Sequence, residues 1–261
     1  MSDDVFTLSG VSREYRSAQK TTLALDDVEL TVRDGEFLVL LGPSGCGKST
    51  LLEILAGLQR PDAGEVSFRG DPVTGPRAEL GMVFQDPALF PWQPLLSNVA
   101  IGLELAGVPA KERERRALAE LERVGLGGFA RAYPHELSGG MQQRAGIARA
   151  LAADPEVLLM DEPFGAVDHL TRLQLQEELL ALWAERRRTV VFVTHDVGEA
   201  VYLADRIVVL SPRPGRIARE ITVSAGRPRV HGDPELLARE SDIYRVLREI
   251  EDPIEPPEWM I

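Results

Sequence analysis

Four short stretches of the chain are almost continuously apolar. "FLVLL", at residues 37–41, runs into a glycine-rich turn. "LGMVFQ" closes on Gln85, "EVLLMDE" on Asp161 and Glu162, and "TVVFVTH" on His195. Runs of this length without alternation are expected of strands buried on both faces, and the stretches between them carry helical periodicity. The pattern predicts an α/β fold around a mostly parallel sheet. Ligands of such sheets bind beyond the carboxyl ends of the strands. Gln85, Asp161, Glu162 and His195 are therefore expected to converge on one ligand, together with the turn that follows Leu41.

From about residue 87 to residue 152 the period becomes helical with polar stretches, which predicts a mostly α-helical subdomain inserted into the core. After His195, "DVGEAVYLA" reads as a helix, and "RIVVLSPRPGRIAREITV" as two strands around a Pro/Gly turn. An amphipathic helix is expected to begin near Asp233. The final "EDPIEPPEWMI" is proline-rich and acidic and reads as a disordered tail, so residues 5–250 are expected to form one domain and 251–261 to lie outside it.

One stretch does not obey local preference. "LSGGMQQR" opens a helix with Gly139 and Gly140, which cost helix stability. Glycines ahead of a helix let backbone N–H groups approach a ligand closely, and the helix N-terminus adds partial positive charge, so Ser138, Gly139 and Gly140 read as an anion site.

Composition narrows the classes. The 261 residues suffice for one sizeable core with a satellite. The lone Cys46 excludes an intrachain disulfide, and "MSDDVFTLSG" lacks the basic and apolar regions of a signal peptide, which points to a reducing cytoplasm. No apolar run approaches the roughly 20 residues of a membrane span, so any membrane role is by association. A net charge of −12 argues against broad electrostatic binding to nucleic acid or anionic lipid. Lys20, Lys48 and Lys111 are the only lysines among 29 basic side chains, which makes Lys48 conspicuous.

Lys48 lies in "EFLVLLGPSGCGKSTLLEIL", a strand, a glycine-rich turn and a helix in the order a P-loop requires. The turn comprises Gly42, Pro43, Ser44, Gly45, Cys46 and Gly47. Its N–H groups can curl around phosphate oxygens, Lys48 brings a compact charge to the β- and γ-phosphates, and the Ser49 hydroxyl can ligate Mg²⁺. Thr50 is within reach of the α-phosphate, and Cys46 reads as a small filler. Asp161 suits a carboxylate that orients Mg²⁺, and Glu162 a base for the attacking water, against the plainer reading of a solvated acidic pair. His195 reads either as a satisfied core histidine or as a contact to the γ-phosphate or the water.

Taken in order, "GPSGCGKST", Gln85, "LSGGMQQR", "VLLMDEPFGAVD" and His195 resemble the ATPase subunit of ATP-binding-cassette transporters, over residues 5 to 225. The resemblance implies a P-loop NTPase core with an N-terminal antiparallel β-subdomain and an inserted helical subdomain. It implies ATP and Mg²⁺ as ligands, with Tyr15 stacking on adenine, Gln85 coupling metal and water to the partner subunit, and Asp168 closing a loop at the dimer. It also implies a head-to-tail homodimer in which Ser138, Gly139 and Gly140 cap the γ-phosphate held by the partner's P-loop. Met141 stands where many members carry glutamine. Leu89, Phe90, Pro91 and Trp92 read either as internal packing or as a groove for a short helix of a membrane permease. The sequence resembles most the importer branch for nitrate, sulfonate, taurine and related anions. A separate permease, a solute-binding protein and a peripheral position on the cytoplasmic face of the membrane follow from that branch. The competing reading is a soluble cassette ATPase of cofactor assembly or of nucleic-acid or ribosome processes. A small-molecule kinase would leave "LSGGMQQR" without a role.

Overall fold

The computed structural model describes residues 4–16, 21–165 and 167–251. The tail expected at 251–261 lies outside them, except that Glu251 ends the last helix. The chain divides into two compact units, Met1–Thr74 with Val193–Ile261, and Gly75–Phe192.

The first unit opens with β1 (Asp4–Arg16) and β2 (Thr21–Arg33). In β2, Val28, Leu30 and Val32 are buried and alternate with Glu29, Thr31 and Arg33, the period of a sheet with one face on the core. β1 pairs antiparallel with β2 and with β4 (Ala63–Phe68), and β4 with β5 (Asp71–Pro72). Between β2 and β4 come β3 (Phe37–Leu41) and α1 (Lys48–Leu55).

The second unit carries β6 (Leu80–Val83), α2 (Leu95–Leu105), α3 (Ala110–Arg123), α4 (Gly139–Ala152), β7 (Val157–Asp161) and α5 (His169–Arg186). β6 and β7 pair in parallel, with Val83 opposite Met160. The helices α2, α3 and α4 close a core of their own around Leu95, Val99, Leu103, Leu121, Ala145 and Ala148, with Leu89 and Met141 packed against it.

β8 (Thr189–Thr194) returns the chain to the first unit, followed by α6 (Val197–Leu203), β9 (Arg206–Leu210), β10 (Ile217–Thr222) and α7 (Pro234–Glu251). β9 lies parallel to β3, with Leu41 opposite Val209, while β10 returns antiparallel beside β9. Every residue of β3, β8 and β9 is buried, including Thr189, Thr194 and Arg206 at the ends of otherwise apolar strands. Asp196 caps α6 by accepting from Glu199 N at 3.0 Å, and Asp233 starts α7 by accepting from Glu235 N at 2.8 Å. Mostly parallel strands, an antiparallel N-terminal sheet and a helical cluster make this an α/β P-loop NTPase fold. Among the described residues no helix is long and apolar enough to cross a membrane.

Candidate nucleotide site

In the first unit the loop after β3 turns on itself tightly. A Cβ at Gly42 would stand 2.9 Å from Cys46 Sγ and 3.0 Å from Leu210 O, so a side chain there would push the loop off β9. Gly47, at φ 111°, begins α1 in a conformation that other residues rarely adopt. Lys48 is 4% exposed and donates from Nζ to Gly42 O at 2.8 Å and to Pro43 O at 3.0 Å. The ammonium is held inside the loop, hydrogen-bonded as a buried charge must be. α1 has no acid in its first turn, so nothing there competes with an anion for its N–H groups. Ser44, Gly45 and Ser49 are exposed, and Cys46 is buried as a filler.

The loop is braced from the β9–β10 connection, a role not read from the sequence. Arg213 donates through Nε and Nη2 to Gly45 O at 3.0 and 2.9 Å. Gly215 passes so close to Cys46 O that a Cβ would lie 2.1 Å from it. The Pro/Gly turn of "SPRPGR" was legible as a turn, but its backing of the phosphate loop was not.

Tyr15, near the end of β1, is 40% exposed, and its hydroxyl lies 3.2 Å from Thr50 Oγ1. The structure thus brings the expected base platform beside the helix of the P-loop. His195 follows β8 and is exposed, which removes the core-histidine reading. The turn around it is fixed on both sides: Thr194 Oγ1 donates to the buried Glu199 carboxylate at 2.6 Å and accepts from Asp196 N at 3.0 Å.

In the second unit Gln85 lies two residues past β6, Asp161 ends β7 and Glu162 follows it. The parallel pairing puts all three beyond the same ends of neighbouring strands. Glu162 sits at φ 39°, left-handed backbone in which a side chain crowds the carbonyl that follows. Gly165 fits beside both side chains: a Cβ there would be 3.6 Å from Gln85 Nε2 and 3.9 Å from Glu162 Oε2.

The helix α4 holds this region in place. Gln143 Nε2 donates to Phe84 O at 3.3 Å, and Arg149 donates to Pro87 O at 2.5 Å and Ala88 O at 2.9 Å. Burial lowers the Arg149 pKa below its ordinary value. The sequence offered no signal for Gln143 or Arg149 beyond their place in the helix. Ser138 is the N-cap of α4, accepting from Met141 N at 3.3 Å, and the first turn again lacks an acid. Gly140 is pressed against α5: a Cβ would meet Thr171 Cγ2 at 2.8 Å. Gly140 is therefore required by a helix contact, whatever else the pair of glycines serves. Asp168 caps α5, accepting from Thr171 N at 3.1 Å, and hydrogen bonds from the Thr171 side chain and backbone hold its carboxyl below the usual range.

Within the 89–92 segment the two large apolar residues Leu89 and Trp92 differ in exposure. Leu89 is partly buried against the helical core, whereas Trp92 is 70% exposed, 5.5 Å from Phe90 between ring centroids. The buried Asn98 fixes the segment, accepting from Phe90 N at 2.6 Å and donating to the carbonyls of Phe90, Gln93 and Pro94.

A parallel strand, a glycine loop enclosing a buried lysine, and a helix that begins with that lysine define a P-loop NTPase. Comparison with known proteins narrows the class. Residues 25–165 match the family model described as ABC transporter. The chain is 52% identical over 226 residues to an uncharacterised ABC transporter ATP-binding protein of Methanocaldococcus jannaschii, covering 87% of this chain and 85% of that protein. It is 45% identical over 247 residues to the taurine import ATP-binding protein TauB of Yersinia pestis, covering 92% and 95%. Among solved structures, the dimeric ATP-binding cassette MJ0796 in a post-hydrolysis state with ADP and Pi aligns at a TM-score of 0.76 and 35% identity, over 85% of this chain and 100% of that one. The chain belongs to the ABC transporter family and is an ATP-hydrolysing subunit of it.

Proposed function

We propose that the chain powers uptake of a small sulfonate or related anion, such as taurine or nitrate, through a separate membrane permease supplied by a solute-binding protein. It would sit peripherally on the cytoplasmic face of the membrane as a head-to-tail homodimer. The observation that carries the solute class is 45% identity, over 92% of this chain, to a relative named for taurine import. The dimeric solved structure of MJ0796 supports the assembly.

In this reading Tyr15 is the platform for the base. Gly42, Pro43, Ser44, Gly45, Cys46 and Gly47 present their backbone to the phosphates, Lys48 supplies charge, and Thr50 adds its backbone N–H. Ser138, Gly139 and Gly140 face the γ-phosphate held by the other subunit, and Asp168 shapes the adjoining turn. Glu162 orients the attacking water and takes its proton, while His195 contacts the γ-phosphate or that water.

Mg²⁺ fits the donor set. Mg²⁺ characteristically takes one or two oxygen ligands from protein, with phosphates and water, and the Ser49 hydroxyl in α1 and the Asp161 carboxylate ending β7 offer oxygens of that kind. Ser49, Gln85 and Asp161 would hold it or its waters. Bound there, it would supply charge that neutralises the negative charge developing on the phosphates.

The test is affinity purification of the tagged chain from detergent-solubilised native membranes, with mass spectrometry of stoichiometric partners. A multi-span membrane protein is expected, with a solute-binding protein recovered alongside. Recovery only with soluble assembly factors, ribosomes or DNA would overturn the transport reading and leave the ATPase in place.

A further inference from the structure

The hydroxyl of Tyr15 is tied into a chain of hydrogen bonds whose direction can be deduced. It donates to Gln59 Oε1 at 3.0 Å and lies 3.2 Å from Thr50 Oγ1. Gln59 Nε2 in turn donates to Glu53 Oε2 at 2.6 Å. An ionised carboxylate only accepts, so Glu53 fixes the amide with its N–H₂ toward the acid and its carbonyl toward Tyr15. The tyrosine has one proton, which goes to Gln59, and its oxygen therefore accepts from Thr50. The order is Thr50 to Tyr15 to Gln59 to Glu53, ending on a charge that strengthens the link before it.

The chain is built into the phosphate-binding helix. Thr50 and Glu53 are three residues apart on α1, and so neighbours on its surface. Gln59 is also anchored through its backbone: Leu58 N and Gln59 N both donate to Glu53 O, at 2.9 and 3.2 Å. The ring of Tyr15 is fixed independently from one side. The Arg13 guanidinium stands 5.3 Å from its centroid and is itself held by Asp62, with both Nη1 contacts at 3.2 Å. An exposed tyrosine held at its hydroxyl and over one face has lost most of its rotamer freedom before any ligand arrives.

We propose that Gln59, oriented by Glu53, is a positioning residue for the nucleotide base: it locks the Tyr15 ring so that the purine meets a preorganised surface. The inference rests on the reading of Tyr15 as the base platform. It also assigns the Thr50 hydroxyl proton to Tyr15, so that the backbone N–H of Thr50 is its donor toward phosphate.

The test compares binding of ATP and of inorganic tripolyphosphate, which has phosphates but no base, to the full chain and its variants. Gln59→Leu is expected to raise the ATP Kd by about 3- to 10-fold, a part of what stacking supplies, and to leave the tripolyphosphate Kd unchanged. KM for ATP should rise while kcat at saturation stays the same. Tyr15→Phe keeps the ring and removes the same hydrogen bonds, so it should reproduce the effect. The double variant should be no worse than either single change. An unaltered ATP Kd in Gln59→Leu and Tyr15→Phe, with Tyr15→Ala clearly weakened, would refute the positioning role and keep the platform. Equal loss of ATP and tripolyphosphate binding would make Gln59 a support of the phosphate loop and refute the inference. No loss in Tyr15→Ala would remove the platform reading itself.

Discussion

Glu162 combines the chemistry assigned to a base with a backbone that resists any side chain, and three replacements separate the two. At φ 39° a residue with a Cβ is strained by about 1–2 kcal/mol relative to right-handed alternatives. Glu162→Gln keeps that strain and removes the proton acceptor. Turnover should fall by about 10²-fold or more, with an unchanged melting temperature and an ATP-dependent dimer that persists in size-exclusion chromatography. Glu162→Gly relieves the strain but makes the unfolded chain more flexible by about 0.5–1 kcal/mol, so stability should match or exceed that of the glutamine variant by up to about 1 kcal/mol. Glu162→Val places a β-branched side chain in the same backbone and should cost about 1 kcal/mol or more beyond the glutamine variant, a fall of roughly 2–4 °C per kcal/mol for a chain of this size. Phosphate release from Mg·ATP and thermal melting read the two properties separately. All three variants should be inactive, with stability in the order Gly, Gln, Val. Normal turnover in Glu162→Gln would remove Glu162 as the base. A valine variant as stable as the glutamine one would show that the backbone at this turn exerts no constraint.

Three further outcomes are expected. Ser138→Arg should leave ATP binding to the monomer intact and abolish ATP-dependent dimerisation; loss of nucleotide binding outright would place Ser138 in the site of its own chain. Glu240 on α7 has its pKa raised by burial first and then by Asp196, which also faces Tyr244. An acid with a raised folded pKa stabilises the fold at low pH and loses that contribution as pH climbs from the ordinary carboxylate range through the folded value. Glu240→Gln should therefore melt higher than the wild type at pH 7 and equally at pH 4, and a lower melting point at pH 7 would reverse the argument. Finally, Arg229 is 7% exposed and, among the described residues, donates to the carbonyls of Val201, Tyr202 and Ala204 at the end of α6 and of Val223 and Ala225, while burial lowers its pKa to about 10. Arg229→Met should destabilise by about 2–4 kcal/mol, the loss of several charged hydrogen bonds less the relief of desolvation, and chemical denaturation showing no change would refute it.

The parts of the molecule legible in sequence are those where one local force dominates. β3, β7 and β8 announce themselves because strands buried on both faces tolerate few polar residues, and the P-loop because its backbone path demands glycine at fixed positions. Asp233, ahead of α7, was readable from cap chemistry. What escaped are residues whose role depends on a distant partner. Arg206 donates to Glu36 at 2.8 Å and Glu220 at 2.7 Å, closing a buried network across 170 positions of sequence. Arg213 reaches Gly45, and Gln59 reaches back to Tyr15, from loops whose composition suggests only solvent. Asp168 was read through family resemblance as a loop residue, whereas the structure adds its local work as the cap of α5. The separation of Leu89, packed against the helical core, from the exposed Trp92 was not decidable from their types, since both are large apolar residues near proline.

The contact between Gly140 and Thr171 carries a mechanical consequence. Since not even a methyl group fits between the start of α4 and the start of α5, the two helix ends have no slack. Densely packed interiors transmit displacement instead of absorbing it. A push on the serine-glycine end of α4 therefore bears directly on Thr171 in the first turn of α5, like two gear teeth cut without backlash.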